Sequence, residues 1–384
     1  MDLKTQTGVV AHLAIRSLAG RVFSSIFLFM KRLRIAGLLS CCFLLSSPLW
    51  GQSLNFRYYD SGNGLSSSFI TAIEQDHQGY LWFGTYEGLS RYDGISFKTF
   101  SDEEGLTGIH IVDLCVGADG RLWVGTRDSG VFVYDGHRFT MFFGPTIPRT
   151  TEITTIMEDS KGVLWLGTMS GVYQSVDGQS SLVYAEDNLA FNCIVEDPQY
   201  GILFGTSRGL FRLVNGKMED VCAAYGVATR AVWSVARAAD GTLLVGATRG
   251  VYRLRDNQME LLLPEVREVK TIYTDRRGNT WFSGASGVYK LQGDTLESYA
   301  MELGGLDTLA QAIFEDHEGN LWFGSVYGVR MLVNEAFTSY FPHNSPVYKG
   351  ANCVSVCRDG RIIYVSNDAI SLLSGKSFHS MNTI

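Results

Sequence analysis

The chain has 384 residues, 46% of them hydrophobic and 18% charged, with 42 glycines and a net charge of -7. That is ample length for a large core, and the composition is that of an ordinary folded protein rather than a disordered or fibrous one. The negative balance leaves no basic surface for nucleic acid or an anionic membrane.

Residues 1–51 read as an N-terminal extension followed by a signal peptide. In "MKRLRIAGLLSCCFLLSSPLWGQS", which begins at Met30, Lys31, Arg32 and Arg34 form a basic flank. Ile35 to Leu45 is a short apolar run, Pro48 breaks it, and Gly51 offers a small residue before Gln52. This is the layout of an export signal. The run is shorter than the roughly 20 apolar residues of a spanning helix. Translation from Met30, cleavage near Gly51–Gln52 and a periplasmic or otherwise extracytoplasmic location are expected. Membrane attachment is expected only through an uncleaved N-terminus or through downstream segments. Five cysteines follow: Cys115, Cys193, Cys222, Cys353 and Cys357. The odd count leaves at least one unpaired in a monomer. Cys115, Cys193 and Cys353 sit in apolar runs and read as small buried hydrophobes rather than a disulfide framework or metal site. Cys353 and Cys357 would stand roughly 13 Å apart on an extended strand, too far to bridge.

From residue 75 the chain repeats itself. "QDHQGYLWFGTYEGLSRYDG" returns as "EDHEGNLWFGSVYGV" at 315–329. Aligned on the Trp of "LWFG", one column holds Trp82, Trp123, Trp165, Leu203, Leu244, Trp281, Trp322 and Ile363, at spacings of 41, 42, 38, 41, 37, 41 and 41. Five of the seven tryptophans fall in this column, which excludes chance similarity. Two residues on stands a small residue (Gly84, Gly125, Gly167, Gly205, Gly246, Ser283, Gly324), and a second glycine column follows from Gly88 to Gly328. A period near 40 of this texture is a stacked supersecondary unit.

Within the first unit, "FITAIEQD", "YLWFGT", "LSRYDG" and "SFKTF" are four short β-runs separated by Gly or Asp-Gly turns. They predict a four-stranded antiparallel meander. No window keeps helical spacing, so helical solenoids are excluded. Four strands per roughly 40 residues, repeated radially, make a propeller blade, and the fold class is an all-β propeller. The Trp column then fills the seams between blades, and the glycines permit tight turns and close approach. "LNFRYYD" at 54–60 matches the strand that ends each repeat, so it is expected to pair with the third strand of the seventh set and close the ring. The chain therefore divides into residues 52–335, a seven-bladed propeller, and residues 336–384. The latter are an extra blade that has lost the Trp and both glycines. It is either an eighth blade of the same ring, giving an eight-bladed alternative, or the start of a second ring.

"DHQGYLWFGTYEGLSRYDG" and "FRYYDSGNGLSSSFITAIEQD" resemble the two-component-regulator propeller repeat, over residues 54 to about 375. The resemblance implies the periplasmic sensor region of a hybrid two-component histidine kinase, in which two seven-bladed propellers precede a β-sandwich, a membrane span and cytoplasmic kinase and receiver domains. Glycan fragments are the ligands it often implies. No kinase segment is read in this chain, so it is expected to be the N-terminal sensor piece of a truncated or split receptor and not an enzyme, although the full-length relative would be a histidine kinase.

The residues favour binding. No nucleophile signature, clustered metal ligands or cofactor motif is present, so no catalytic residue, metal or cofactor is expected. Asp76, Asp159 and Asp316 recur beside turns and read as turn caps rather than acid–base pairs, and His77 and His317 as solvated turn residues. Loops between second and third strands carry Tyr86, Glu87, Arg127, Asp128, Arg208, Arg249 and Tyr327. They vary while the framework does not, which makes them the candidate ligand-binding residues. Arginine and tyrosine there suit a small-molecule or oligosaccharide ligand carrying carboxylates. The sequence leaves a homodimer open. It also leaves open two other readings, a lyase-like or glycosidase-like propeller enzyme and a receptor fragment without function.

Overall fold

The structure is a computed structural model that describes residues 53–54, 56–142, 151–227, 229–256, 258–299, 309–332, 338–339, 353–357, 361–365, 369–374 and 377–383. The expected export signal lies outside these residues. Ser53–Ser339 form one compact unit. Six blades in it are consecutive four-stranded antiparallel meanders. The first runs through Ile70–Gln75, Leu81–Thr85, Gly88–Tyr92 and Phe97–Phe100, and the sixth ends at Thr295–Ser298. The seventh consists of Ala312–Glu315, Leu321–Gly324 and Val329–Leu332, with Phe56–Tyr59 as its outer strand. The register is Phe56↔Leu332, Arg57↔Met331, Tyr58↔Arg330 and Tyr59↔Val329. The inner strand of each blade adjoins that of the next, and that of the seventh adjoins that of the first. The ring thus closes at seven blades, held at the seam by a strand from the opposite end of the chain. The eight-bladed alternative falls, because the first inner strand already meets the seventh.

Each blade is covered on both faces by its neighbours, so its second strand is buried, completely in Leu81–Thr85 and Leu164–Thr168 and from Leu203 onward in Gly201–Thr206. This explains why "LWFG" is a continuous apolar run rather than an alternating one. Trp82, Trp281 and Trp322 are completely or almost completely buried. Trp82 packs on Phe100 of its own blade at 5.1 Å and on Tyr134 of the next at 5.2 Å. The first glycine column is a matter of approach: a Cβ on Gly84 would stand 2.7 Å from Cγ2 of Ile111 in the next blade. The second column is conformational, since Gly250 turns between strands at φ 147°. The other compact unit includes Tyr340–Ile384. Its described strands, Cys353–Val356, Ile362–Val365, Ala369–Ser374 and Ser377–Thr383, form one antiparallel sheet in that order.

Candidate binding face

The two ends of the ring are built differently. At one end lie the turns between first and second strands, and these are structural. Asp76 Oδ1 accepts from the backbone N–H of Gln78 and Tyr80, while its Oδ2 accepts from the indole Nε1 of Trp82 at 2.7 Å. Asp159–Trp165, Asp275–Trp281 and Asp316–Trp322 repeat the arrangement. One carboxylate thus caps the turn and satisfies the buried indole, a double role that the turn-cap reading covers only in half. In the second blade Gly117 stands where the aspartate should be, and Trp123 donates instead to Glu158 of the third blade at 2.9 Å. A Cβ on Gly117 would meet Glu158 Oε2 at 2.5 Å, so the glycine makes room for that carboxylate.

In five blades a polar residue at or next to the end of the inner strand reaches back to the turn of the preceding blade. Glu158 accepts from Ala118 N, Glu196 from Ser160 N and Oγ, Glu315 from Arg276 N, and Gln75 from His317 N. In the fifth blade Arg237 donates to Asp197, through Nε at 3.0 Å. These latches were missed from sequence. Their signal is a polar column one residue before the aspartate column, in an otherwise apolar strand.

The opposite end carries the loops between second and third strands together with the loops that enter each inner strand. Backbone bonds tie the two sets, such as Tyr86 N to Phe69 O at 3.0 Å and Arg127 N to His110 O at 2.9 Å. All seven sequence-nominated residues, Tyr86, Glu87, Arg127, Asp128, Arg208, Arg249 and Tyr327, are exposed here. Tyr86 does not stand alone. Its ring stacks on Phe69 (5.5 Å between centroids, 11° between planes) and lies 4.4 Å from the imidazole of His110. Phe69 and His110, from the entry loops, complete an aromatic shelf across two blades that the sequence reading did not assemble. Tyr327 is 52% exposed, and its carbonyl accepts from the Tyr58 hydroxyl at 2.6 Å. Arg208 is already engaged by Glu186 at 2.5 Å. Arg127 and Arg249 have no ion pair among the described residues.

The inner strands surround the axis, and side chains at the bulge near their start bridge successive blades. Thr154 Oγ1 donates to Phe191 O at 2.5 Å and Asn192 Nδ2 to Val232 O at 2.9 Å. At the corresponding positions of the fifth and sixth blades, Lys270 Nζ lies 3.1 Å from the centroid of Trp233. Partial burial lowers the lysine's pKa from its ordinary value. Deeper in, burial raises Glu74 to about 8, with the Asp113 carboxylate adding to the rise. Burial likewise raises Asp113 to about 6, opposed by donors from Ile156 N and Thr155 Oγ1. Burial pushes the thiols of Cys115 and Cys193 up to about 12, which makes them poor nucleophiles. Among the described residues no group of three or more His, Cys, Asp or Glu is placed to hold a metal ion, and no helix is long and apolar enough to cross a membrane.

Four segments, 64–87, 105–128, 148–170 and 304–327, match the model of the two component regulator propeller family. A histidine kinase from Formosa agariphila is 41% identical over 58 residues, which is 15% of this chain and 4% of that protein. Among solved structures, an extracellular domain assigned to a hybrid two component system of B. thetaiotaomicron superposes with a TM-score of 0.67 at 18% identity, covering 86% of this chain and 49% of that one. A virginiamycin B lyase from Staphylococcus aureus, solved with quinupristin, superposes with a TM-score of 0.59 at 14% identity, covering 73% of this chain and 99% of that one. At these identities the structural likeness is one of fold. The chain spans about half the length of the hybrid-system domain.

Proposed function

We propose, from the four segments that match the two component regulator propeller family, that this chain is the ligand-binding propeller of an extracytoplasmic sensor, with an anionic oligosaccharide fragment as its ligand. The observation that carries the reading is the half-exposed shelf of Phe69, Tyr86 and His110, adjoined by Arg127 through its backbone bond to His110, with Arg249 on the same face of the fifth blade. Sugar rings stack on such aromatic surfaces. Carboxylates on the sugars would meet Arg249 and Arg127, whereas Arg208 is largely neutralised by Glu186. Charge-assisted hydrogen bonds of this kind contribute about 1.5–3 kcal/mol each.

The test is calorimetric titration of the exported chain with uronate-containing and neutral oligosaccharides. Tyr86→Ala and Arg249→Ala should each weaken binding of the anionic fragment about tenfold, and Arg208→Ala less. Stability should change by no more than about 0.5 kcal/mol, since both side chains are exposed. Binding indifferent to Tyr86 and Arg249 would overturn this placement of the site. Product formed during titration would replace the sensor reading with that of a propeller enzyme.

A further inference from the structure

We infer that the seam between the fifth and sixth blades, at the structural end of the ring, holds a second binding site, for a small planar aromatic molecule of the indole class. Two other blades place a cation across the strands from a buried indole at the corresponding position. In the first blade Arg91 pairs across the strands with Trp82, and its guanidinium lies 5.6 Å from the Trp82 centroid. In the sixth, Lys290 pairs with Trp281 and lies 5.3 Å from that ring. In these two blades the buried indole sits beneath a cation and donates its N–H to the aspartate six residues earlier. The fifth blade keeps the cation and deletes the rest. Arg253, whose Nε donates to Glu260 at 2.8 Å on the adjoining strand, pairs across the strands with Leu244 in place of Trp, and Ala238 stands in place of the aspartate.

The aromatic neighbours have gone as well. Phe100, which packs on Trp82, pairs with Leu89. The corresponding partner of Val251 is Leu263. Tyr134 on the far side of the first seam corresponds to Leu291 on the far side of this one. The result is a groove of about 510 Å³ that reaches Ala238, Leu244, Leu263 and Leu291, with Arg253 and Asp240 at its mouth. The equivalent groove between the first and second blades encloses about 330 Å³ above the fully buried Trp82, and that between the second and third about 500 Å³ with Trp123 and Phe142 in its wall, so the fifth–sixth groove is set apart by its aliphatic floor rather than by its volume. A volume of roughly 300–1,000 Å³ suits a small molecule. An indole-class ring would occupy the apolar floor that five other blades fill with tryptophan, lie beneath Arg253, and offer its N–H toward the Asp240 carboxylate. The site lies on the opposite end of the ring from the proposed oligosaccharide face and does not depend on it.

The experiment is titration of the full chain with indole, followed by calorimetry and by thermal unfolding. Saturable binding with a concentration-dependent rise in melting temperature is expected. Arg253→Gln, at a half-exposed position and also releasing Glu260, should weaken indole about threefold to fivefold by removing the cation over the ring. The double variant A238D/L244W, which restores the carboxylate and the indole, should raise the melting temperature without ligand and abolish binding. If that variant fails to fold, Arg253→Gln alone still decides. Absence of saturable indole binding, or indole affinity untouched by Arg253→Gln, overturns the inference. Binding of a tryptophan-containing peptide by a chain that ignores free indole would overturn its small-molecule assignment.

Discussion

Closure by a strand from the far end of the chain makes a sharp prediction about Tyr59. This residue is joined to the seventh blade only by strand pairing, yet its ring touches both sides of the seam. It lies 5.6 Å from Tyr92 and 5.6 Å from Phe97 in the first blade, and stacks on Trp322 of the seventh at 6.0 Å. Its hydroxyl is 3.3 Å from that of Tyr92. Truncating a fully buried aromatic to Ala costs about 3–5 kcal/mol, and Tyr59 is half-buried, so about 2–3 kcal/mol is expected for Tyr59→Ala. For a unit of this size each kcal/mol moves the melting temperature by about 2 °C, which gives a fall of about 4–6 °C. Tyr59→Phe should cost less than about 1 kcal/mol, since the hydroxyl contact is long. Arg57→Ala, exposed on the same strand, should stay within about 0.5 kcal/mol of the parent. Thermal unfolding by circular dichroism reads all three. Phe100→Ala is the internal standard, because that side chain is buried on an outer strand joined to its blade by the chain itself. If Phe100→Ala lowers the melting temperature while Tyr59→Ala does not, the terminal strand does not hold the ring closed.

Two further predictions follow from buried carboxylates. Glu74 has a folded-state pKa raised from 4.5 to about 8, so the folded protein keeps a proton that the unfolded chain gives up between those values, and stability falls as pH rises through that window. Part of its side chain still meets solvent, so the full shift is discounted: Glu74→Gln should gain about 2 kcal/mol over the parent at pH 8.5 and almost nothing at pH 4.5, and a gain equal at both values in urea titrations would refute the assignment. Glu158 is the acceptor for both Trp123 Nε1 and Ala118 N of the preceding blade, so Glu158→Ala should cost about 1.5–3 kcal/mol by leaving a buried indole donor unpaired, with Trp123 fluorescence shifting before global unfolding; an unchanged midpoint would show that water serves the indole equally well.

The repeat made the architecture legible. Trp spacing set the blade count, and the likeness of "LNFRYYD" to the outer strands pointed to the strand that closes the ring. What alignment of columns could not show is which residues of one column meet which residues of another. Asp76 and Trp82 are six apart in sequence, and nothing in either position alone says that one carboxylate serves a turn and an indole together. The aromatic shelf was hidden for a similar reason. Tyr86 belongs to a loop of the first blade, Phe69 and His110 to loops that enter the first and second, and only the closed ring stacks them. Arg208 read as a free cation because Glu186 belongs to a different loop.

The departures from the repeat follow a physical order. In the fourth blade Leu203 replaces the tryptophan, but Asp197 remains, and Arg237 of the next blade donates to it in the indole's place. Tyr200, at a position that is glycine in the other six blades, packs into the adjoining core with Leu203 and Leu210. In the fifth blade the aspartate and the tryptophan are both gone. A buried carboxylate without a donor is costly, so the pair is kept, substituted or deleted as a unit. These two aliphatic seams lie mid-chain, where the backbone itself joins one blade to the next. The covalent break lies inside the seventh blade, where Phe56–Tyr59 joins Val329–Leu332 by strand pairing alone, and beside it Tyr59, Phe83, Tyr92, Phe97 and Trp322 converge. This aromatic cluster packs the terminal strand from both sides, so that side chains reinforce the strand pairing on which closure of the seventh blade depends.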